Sequence, residues 1–280
     1  MIERAPDRTA DVTLHDGSAI MIEIHGDGPA LLLPVNPRPI TGEQADVLRQ
    51  YGADPALGQS LIQGLCDAFR VIAFDYEGHL RRTPRPLTLT PDAVINDLLA
   101  VADAAGANRF AYYGYSWLAM IGLQLALRTD RLWALVMGGY PPLDAPYAEM
   151  RQVTAAAYEI AGSEVPADEE WSAAELSKEE TQQYVTLYEA LRDFDDRAVQ
   201  GQITCPRVCF VGSADEIYYG PSWGDVTVSL AGPVIRGEAE LKALGWDVHI
   251  LEGLNHMGAM QAAQVLPILQ PFLEAHRPAE

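Results

Sequence analysis

Apolar residues fall along the chain in two alternating forms. Short runs dominated by apolar residues, Ala30 to Leu33, Val71 to Phe74, Phe110 to Tyr113, Leu132 to Met137, Arg207 to Val211 and Asp247 to Leu251, read as strands, and the unbroken Ala30 to Leu33 suits one buried on both faces of a parallel sheet. Between them lie stretches with helical spacing: Gly58 to Phe69, the segment from Thr90 to Ala105, Leu118 to Arg128, Glu238 to Leu244 and Gln264 to Ala275. Thr90 followed by Pro91 predicts a capped start for the second of these. Ahead of the first run, Val12 to Leu14 and Ile20 to Ile24 flank His15-Asp16-Gly17-Ser18 and predict an antiparallel hairpin. Pro34 to Pro39, Asp75 to His79 and Tyr218 to Gly232 read as loops.

Strand and helix in alternation argue an α/β architecture: a mostly parallel central sheet with right-handed crossovers and helices on both faces. One segment breaks the rhythm. Residues 144–200 have helical periodicity and little strand propensity, and carry 14 acids against 4 bases, with Asp168-Glu169-Glu170 and Asp193, Asp195 and Asp196 prominent. This is the pattern of a helical lid inserted into a core made of residues 1–143 and 201–280.

Charge narrows the partners. With 19 basic and 39 acidic residues in 280, the net charge of −20 repels phosphate backbones and anionic membranes, so no nucleic acid is expected. No window reaches a membrane-spanning length of apolar residues, and the first ten residues lack a secretory pattern, so a cytoplasmic protein without membrane insertion is expected. Cys66, Cys205 and Cys209 are too few for a disulfide framework, and Cys205 with Cys209 lacks a second pair for zinc. There is no glycine-rich phosphate loop and no lysine in a Schiff-base setting, so no cofactor is expected.

The chemistry concentrates at Phe110 to Ala119. A strand turning directly into a helix at Gly114-Tyr115-Ser116-Trp117 lifts the Ser116 hydroxyl out of the sheet. A serine that only caps the helix is the competing reading. Asp215 and His256 follow the next-to-last and last predicted strands, and in a parallel sheet the three loops share one edge.

These features together resemble the α/β-hydrolase family over nearly the whole chain. The matches are Gly114-Tyr115-Ser116-Trp117, Gly212-x-x-Asp215, Gly253-x-x-His256 and the inserted helical segment; Leu118 departs from the family's small residue. The resemblance implies a serine hydrolase with Ser116 as nucleophile, His256 as base and Asp215 as the acid that orients it. Asp144 is the alternative acid, and His79 the alternative base. The oxyanion donors would be the backbone N–H of Trp117 and one from the Pro34-Val35-Asn36-Pro37 loop, Asn36 or Val35. Tyr115, Tyr140, Tyr218, Tyr219 and Trp223 are expected around an apolar pocket, with Arg38 a candidate for a substrate carboxylate. The implied activity is cleavage of an ester, thioester or lactone of a small to medium, mainly apolar small-molecule substrate. A proline-iminopeptidase-like aminopeptidase, suggested by Trp117 after the serine, a carbon–carbon bond hydrolase and a weakly catalytic ligand-binding member remain alternatives.

Overall fold

A computed structural model describes residues 5–163 and 176–278; the acidic run Asp168-Glu169-Glu170 lies outside the described residues. The chain opens with an antiparallel hairpin, β1 (Arg8–Thr13) and β2 (Ala19–His25). The apolar runs become β3 (Ala30–Leu33), β4 (Arg70–Ala73), β5 (Phe110–Tyr115), β6 (Leu132–Gly138) and β7 (Arg207–Gly212). Two short strands, β8 (Glu216–Tyr219) and β9 (Val226–Ser229), pair with each other, and β10 (Trp246–Leu251) closes the series. The main sheet has eight strands in the order β1-β2-β4-β3-β5-β6-β7-β10, parallel from β4 to β10 and antiparallel at β1 and β2.

The helices are α1 (Glu43–Gln50), α2 (Leu57–Leu65), α3 (Tyr76–Arg82), α4 (Pro91–Ala104), α5 (Trp117–Ala126), α6 (Tyr147–Ile160), α7 (Lys178–Glu189), α8 (Asp196–Val199), α9 (Ala231–Ala243), α10 (His256–Ala259) and α11 (Ala262–Ala275). Side chains alternate across a strand, so the sheet serves two cores at once. Leu31 and Leu33 join Val71, Ala73, Ala111 and Tyr113 under α2 and α11. Leu32 joins Ile72, Phe110 and Tyr112 under α4 and α5 on the other face. Burial on both faces is why these strands carry no polar alternation. Among the described residues no helix is long and apolar enough to cross a membrane.

Three expectations about local structure change. Asp75 to His79 is not a loop: the Asp75 side chain accepts from the Gly78 N–H at 3.0 Å and starts α3. Tyr218 to Gly232 holds β9 and parts of β8 and α9, because Gly220 and Gly224 supply the turn of a hairpin. Helix α9 begins at Ala231, well before Glu238, since Pro233 is tolerated in a first turn. Between β6 and β7, α6 and α7 pack on each other, with Arg151 and Glu189 paired at 3.0 Å.

Candidate active site

The turn from β5 to α5 is strained at one residue. Ser116 has φ 57 and ψ −133, a conformation rare for a residue with a side chain. It is held there from both sides. The Ser116 N–H donates to the Gly138 carbonyl at 2.8 Å, and the helix packs against Gly114 so closely that a Cβ would lie 2.3 Å from the Leu118 carbonyl oxygen. The close approach therefore falls on the backbone of Leu118, while its side chain is buried in the core and its carbonyl accepts from the Tyr112 hydroxyl at 2.8 Å. Leucine at this position is compatible with the turn because Gly114 already makes the room.

The loops after β7 and β10 bring an acid to a base. Nδ1 of His256 lies 2.8 Å from Oδ2 of Asp215, whose side chain is fully buried while that of His256 is 14% exposed. The two loops are tied together by Gly253 N–H on the Ser213 hydroxyl at 2.8 Å and Ala214 N–H on the Leu254 carbonyl at 3.0 Å. Asn255 caps α10 by accepting from Gly258, fixing the start of the helix on which His256 stands. Behind the imidazole, the Tyr115 hydroxyl donates to the His256 carbonyl at 2.7 Å, with the two rings 5.0 Å apart.

Ser116 and His256 line one cavity of about 190 Å³. Trp117 and Tyr140 come to it from the core, Met150, Val153 and Ala157 from α6, Tyr184 and Tyr188 from α7, and Ile217 and Tyr219 from β8. Among the described residues no Asp, Glu, Lys or Arg lines it. Two of the described acids of residues 144–200 serve the backbone instead. Asp195 caps α8, and Asp196 accepts from the backbone of Asp144 and Ala145. Burial raises the carboxyl of Asp196 above its usual range, against the lowering effect of those hydrogen bonds. The cavity-lining residues of α6 and α7 went unrecognised in the sequence, although Met150, Val153, Thr154 and Ala157, like Thr181, Tyr184 and Tyr188, have the spacing of one helical face.

Several candidates sit elsewhere. The Val35 N–H donates to the Leu33 carbonyl at 2.8 Å, which leaves Asn36 as the donor to consider in that loop. The Asn36 carbonyl is pressed against α2, where a Cβ on Gly58 would lie 2.0 Å from it, and the Asn36 side chain accepts from the Arg38 N–H. Neither Val35 nor Asn36 lines the cavity. Arg38 lines a different depression and pairs with Glu23 at 3.1 Å, so it does not reach Ser116. Tyr115 lies behind His256, Tyr218 is exposed and bonded to Asp225, and Trp223 is buried against Tyr219 at 5.3 Å. Asp144 is at the surface, paired with Arg197 at 2.7 Å; His79 is buried with Nε2 3.1 Å from the Ser18 hydroxyl.

No protein-family model matches the chain, and no curated protein matches it in sequence. Solved structures do match its shape. It is similar to a thermophilic esterase from Thermogutta terrifontis, with TM-score 0.63 and 16% identity over 97% of this chain and 100% of the other. A carboxylesterase from the thaumarchaeon Nitrososphaera gargenis matches with TM-score 0.62 and 19% identity over 95% and 98%. A bromoperoxidase from Bacillus anthracis matches with TM-score 0.58 and 18% identity over 95% and 100%.

Proposed function

Because the chain has the α/β-hydrolase fold, we propose that it is a cofactor-independent serine hydrolase that opens an ester, thioester or lactone bond of a small, mainly apolar substrate. The observation that carries this reading is the 2.8 Å pairing of buried Asp215 with His256 on the wall of the same uncharged cavity that holds strained Ser116. In this reading residues 144–200 form a cap on a core of residues 1–143 and 201–280, and α6 and α7 roof the pocket. The volume, below the roughly 300 Å³ at which drug-sized ligands begin to fit, supports a small acyl group.

His256, with its Nδ1–H donated to Asp215, keeps Nε2 as a base. Nε2 takes the Ser116 proton as Oγ attacks the carbonyl carbon. The oxyanion that forms is held by the Trp117 N–H, which as the first residue of α5 has no intrahelical acceptor. Collapse breaks the bond to the leaving group, which departs with the proton from His256. Water then repeats the sequence on the acyl-enzyme and returns Ser116.

An aminopeptidase needs a carboxylate near the pocket for the free amine; among the described residues none lines it, and the Glu77 carboxylate beside it is occupied by the Trp117 indole N–H at 2.6 Å. A ligand-binding protein with slight turnover draws support from the committed Val35 N–H and from Asn36 lying off the cavity wall. A fluorophosphonate probe separates the outcomes. The hydrolase reading expects labelling at Ser116, located by peptide mass spectrometry, with sustained ester turnover; Ser116→Ala loses both. A single stoichiometric burst without turnover supports the ligand-binding reading, and full turnover by Ser116→Ala overturns both assignments of the serine.

A further inference from the structure

A pair of buried phenols at the cavity wall has one donor to spare. Tyr140 stands just after β6 and Tyr188 on α7, so one comes from the end of the sheet and the other from the helical segment; both line the cavity beside Ser116. They are 2% and 1% exposed, and apart from each other their hydroxyls have no hydrogen-bond partner in the protein. The two lie near enough to influence each other's ionisation, and burial pushes both well above the usual phenol range, so both stay O–H donors. One hydroxyl can donate to the other, and the second then still lacks an acceptor.

Other hydroxyls on the lining are already used. Thr154 donates to the Arg151 carbonyl at 3.1 Å, and Thr181 to the Ser177 carbonyl at 3.2 Å. Native interiors keep few unmatched donors, and those they keep call for an explanation in terms of what else binds there. We infer that Tyr140 and Tyr188 form the polar end of the substrate pocket and select acyl chains carrying a neutral hydrogen-bond acceptor, a ketone or ether oxygen, beyond the scissile carbonyl.

The inference rests on the hydrolase reading and narrows its substrate. The acceptor is neutral because no lysine or arginine lines the described cavity, and a carboxylate would lose its water without gaining a counter-charge. It is an acceptor alone because a substrate hydroxyl would bring a further donor to be satisfied. It belongs to the acyl chain because the acyl group stays fixed to Ser116 while the leaving group exits and water enters. The enclosed side of the pocket therefore serves the part that stays.

The test compares p-nitrophenyl 4-oxopentanoate with p-nitrophenyl pentanoate in the wild type and in Tyr140→Phe, Tyr188→Phe and Tyr147→Phe. The wild type is expected to prefer the oxo ester by about tenfold in kcat/KM. The preference falls toward unity in Tyr140→Phe and Tyr188→Phe, and persists in Tyr147→Phe, whose unpartnered hydroxyl belongs to a ring that does not line the cavity. Because the ratio is internal to each variant, a general loss of activity does not imitate the effect. No preference in the wild type, or a preference surviving both Phe variants, overturns the inference. A second arm does not need catalysis: calorimetric binding of 2-hexanone and of the isosteric alkene 2-methyl-1-hexene to Ser116→Ala, alone and with each Phe substitution. Loss of ketone binding relative to the alkene in the Phe variants supports the subsite even if no ester is turned over. Indifference to both substitutions overturns it even if Ser116 is the nucleophile.

Discussion

Oδ2 of Asp215 stands 2.8 Å from Nδ1 of His256 and is wholly cut off from solvent, so the imidazole is oriented by a partner that water cannot replace. An asparagine here would present either an amide donor or an acceptor too weak to stabilise the imidazolium. Asp215→Asn is therefore expected to lower kcat by about ten-thousandfold with a smaller change in KM. Asp144→Asn removes a carboxylate held at the surface by Arg197 and is expected to stay within about threefold of the wild type. Steady-state ester kinetics on the two variants decide which acid serves the histidine.

Gly114→Ala tests whether the turn from β5 to α5 is held by backbone contact. The added Cβ would lie 2.3 Å from the Leu118 carbonyl oxygen and 2.5 Å from its carbon, and neither can rotate away. Overpacking of this kind costs about 1 to 3 kcal/mol, and it also displaces Ser116 and Trp117. The expected result is a lower melting temperature together with a loss in kcat larger than the loss in folded protein. Melting followed by circular dichroism, beside active-site titration, measures both.

The parts legible in the sequence were those with a local signature. Buried strands announce themselves by unbroken apolar runs, as Ala30 to Leu33 does, and the turn at Ser116 by a serine between a strand and an apolar helix. Helix α3 was missed because Gly78 lies inside it and masks the Asp75 cap. The β8 and β9 pair was missed because each strand is only four residues long and a Gly- and Pro-bearing turn lies between them. Arg38 was misplaced for a different reason. Its partner, Glu23, lies on β2, and nothing in the residues around Arg38 signals that pairing. The phenols of Tyr140 and Tyr188 meet across 48 positions, a separation that no periodicity encodes.

Arg85 is expected to matter to stability more than its place in a loop suggests. Its guanidinium meets Asp97 at 2.6 Å, and Asp97, fully buried, also accepts from the Tyr76 hydroxyl at 2.7 Å and lies 2.6 Å from His15. The Arg85 N–H in turn donates to Gln183 on α7 at 3.2 Å. Arg85→Met strands a buried carboxylate and is expected to cost about 3 to 5 kcal/mol in urea unfolding. Adding Asp97→Leu removes the stranded charge, so the double variant is expected to be more stable than Arg85→Met alone. If the double variant loses as much again, the network stabilises by packing and hydrogen bonds rather than by charge balance.

His79 gives the fold a pH dependence whose sign follows from its surroundings. The residue is 4% exposed, and burial holds its pKa below the ordinary 6.5, with Arg85 adding to the lowering and Asp16 and Asp97 opposing it. Arg82, on the same helix, also lowers it. A depressed histidine binds its proton more readily in the unfolded chain, so stability is full above pH 6.5 and declines as the pH falls below it. One proton sets the slope at no more than about 1.4 kcal/mol per pH unit. His79→Gln keeps a polar group for the Ser18 hydroxyl, which lies 3.1 Å from Nε2, but cannot take up the proton. Unfolding free energies in urea between about pH 5.5 and 7.5, above the range where most carboxylates titrate, are expected to slope in the wild type and flatten in the variant. Equal slopes in the two proteins would assign the dependence to another group.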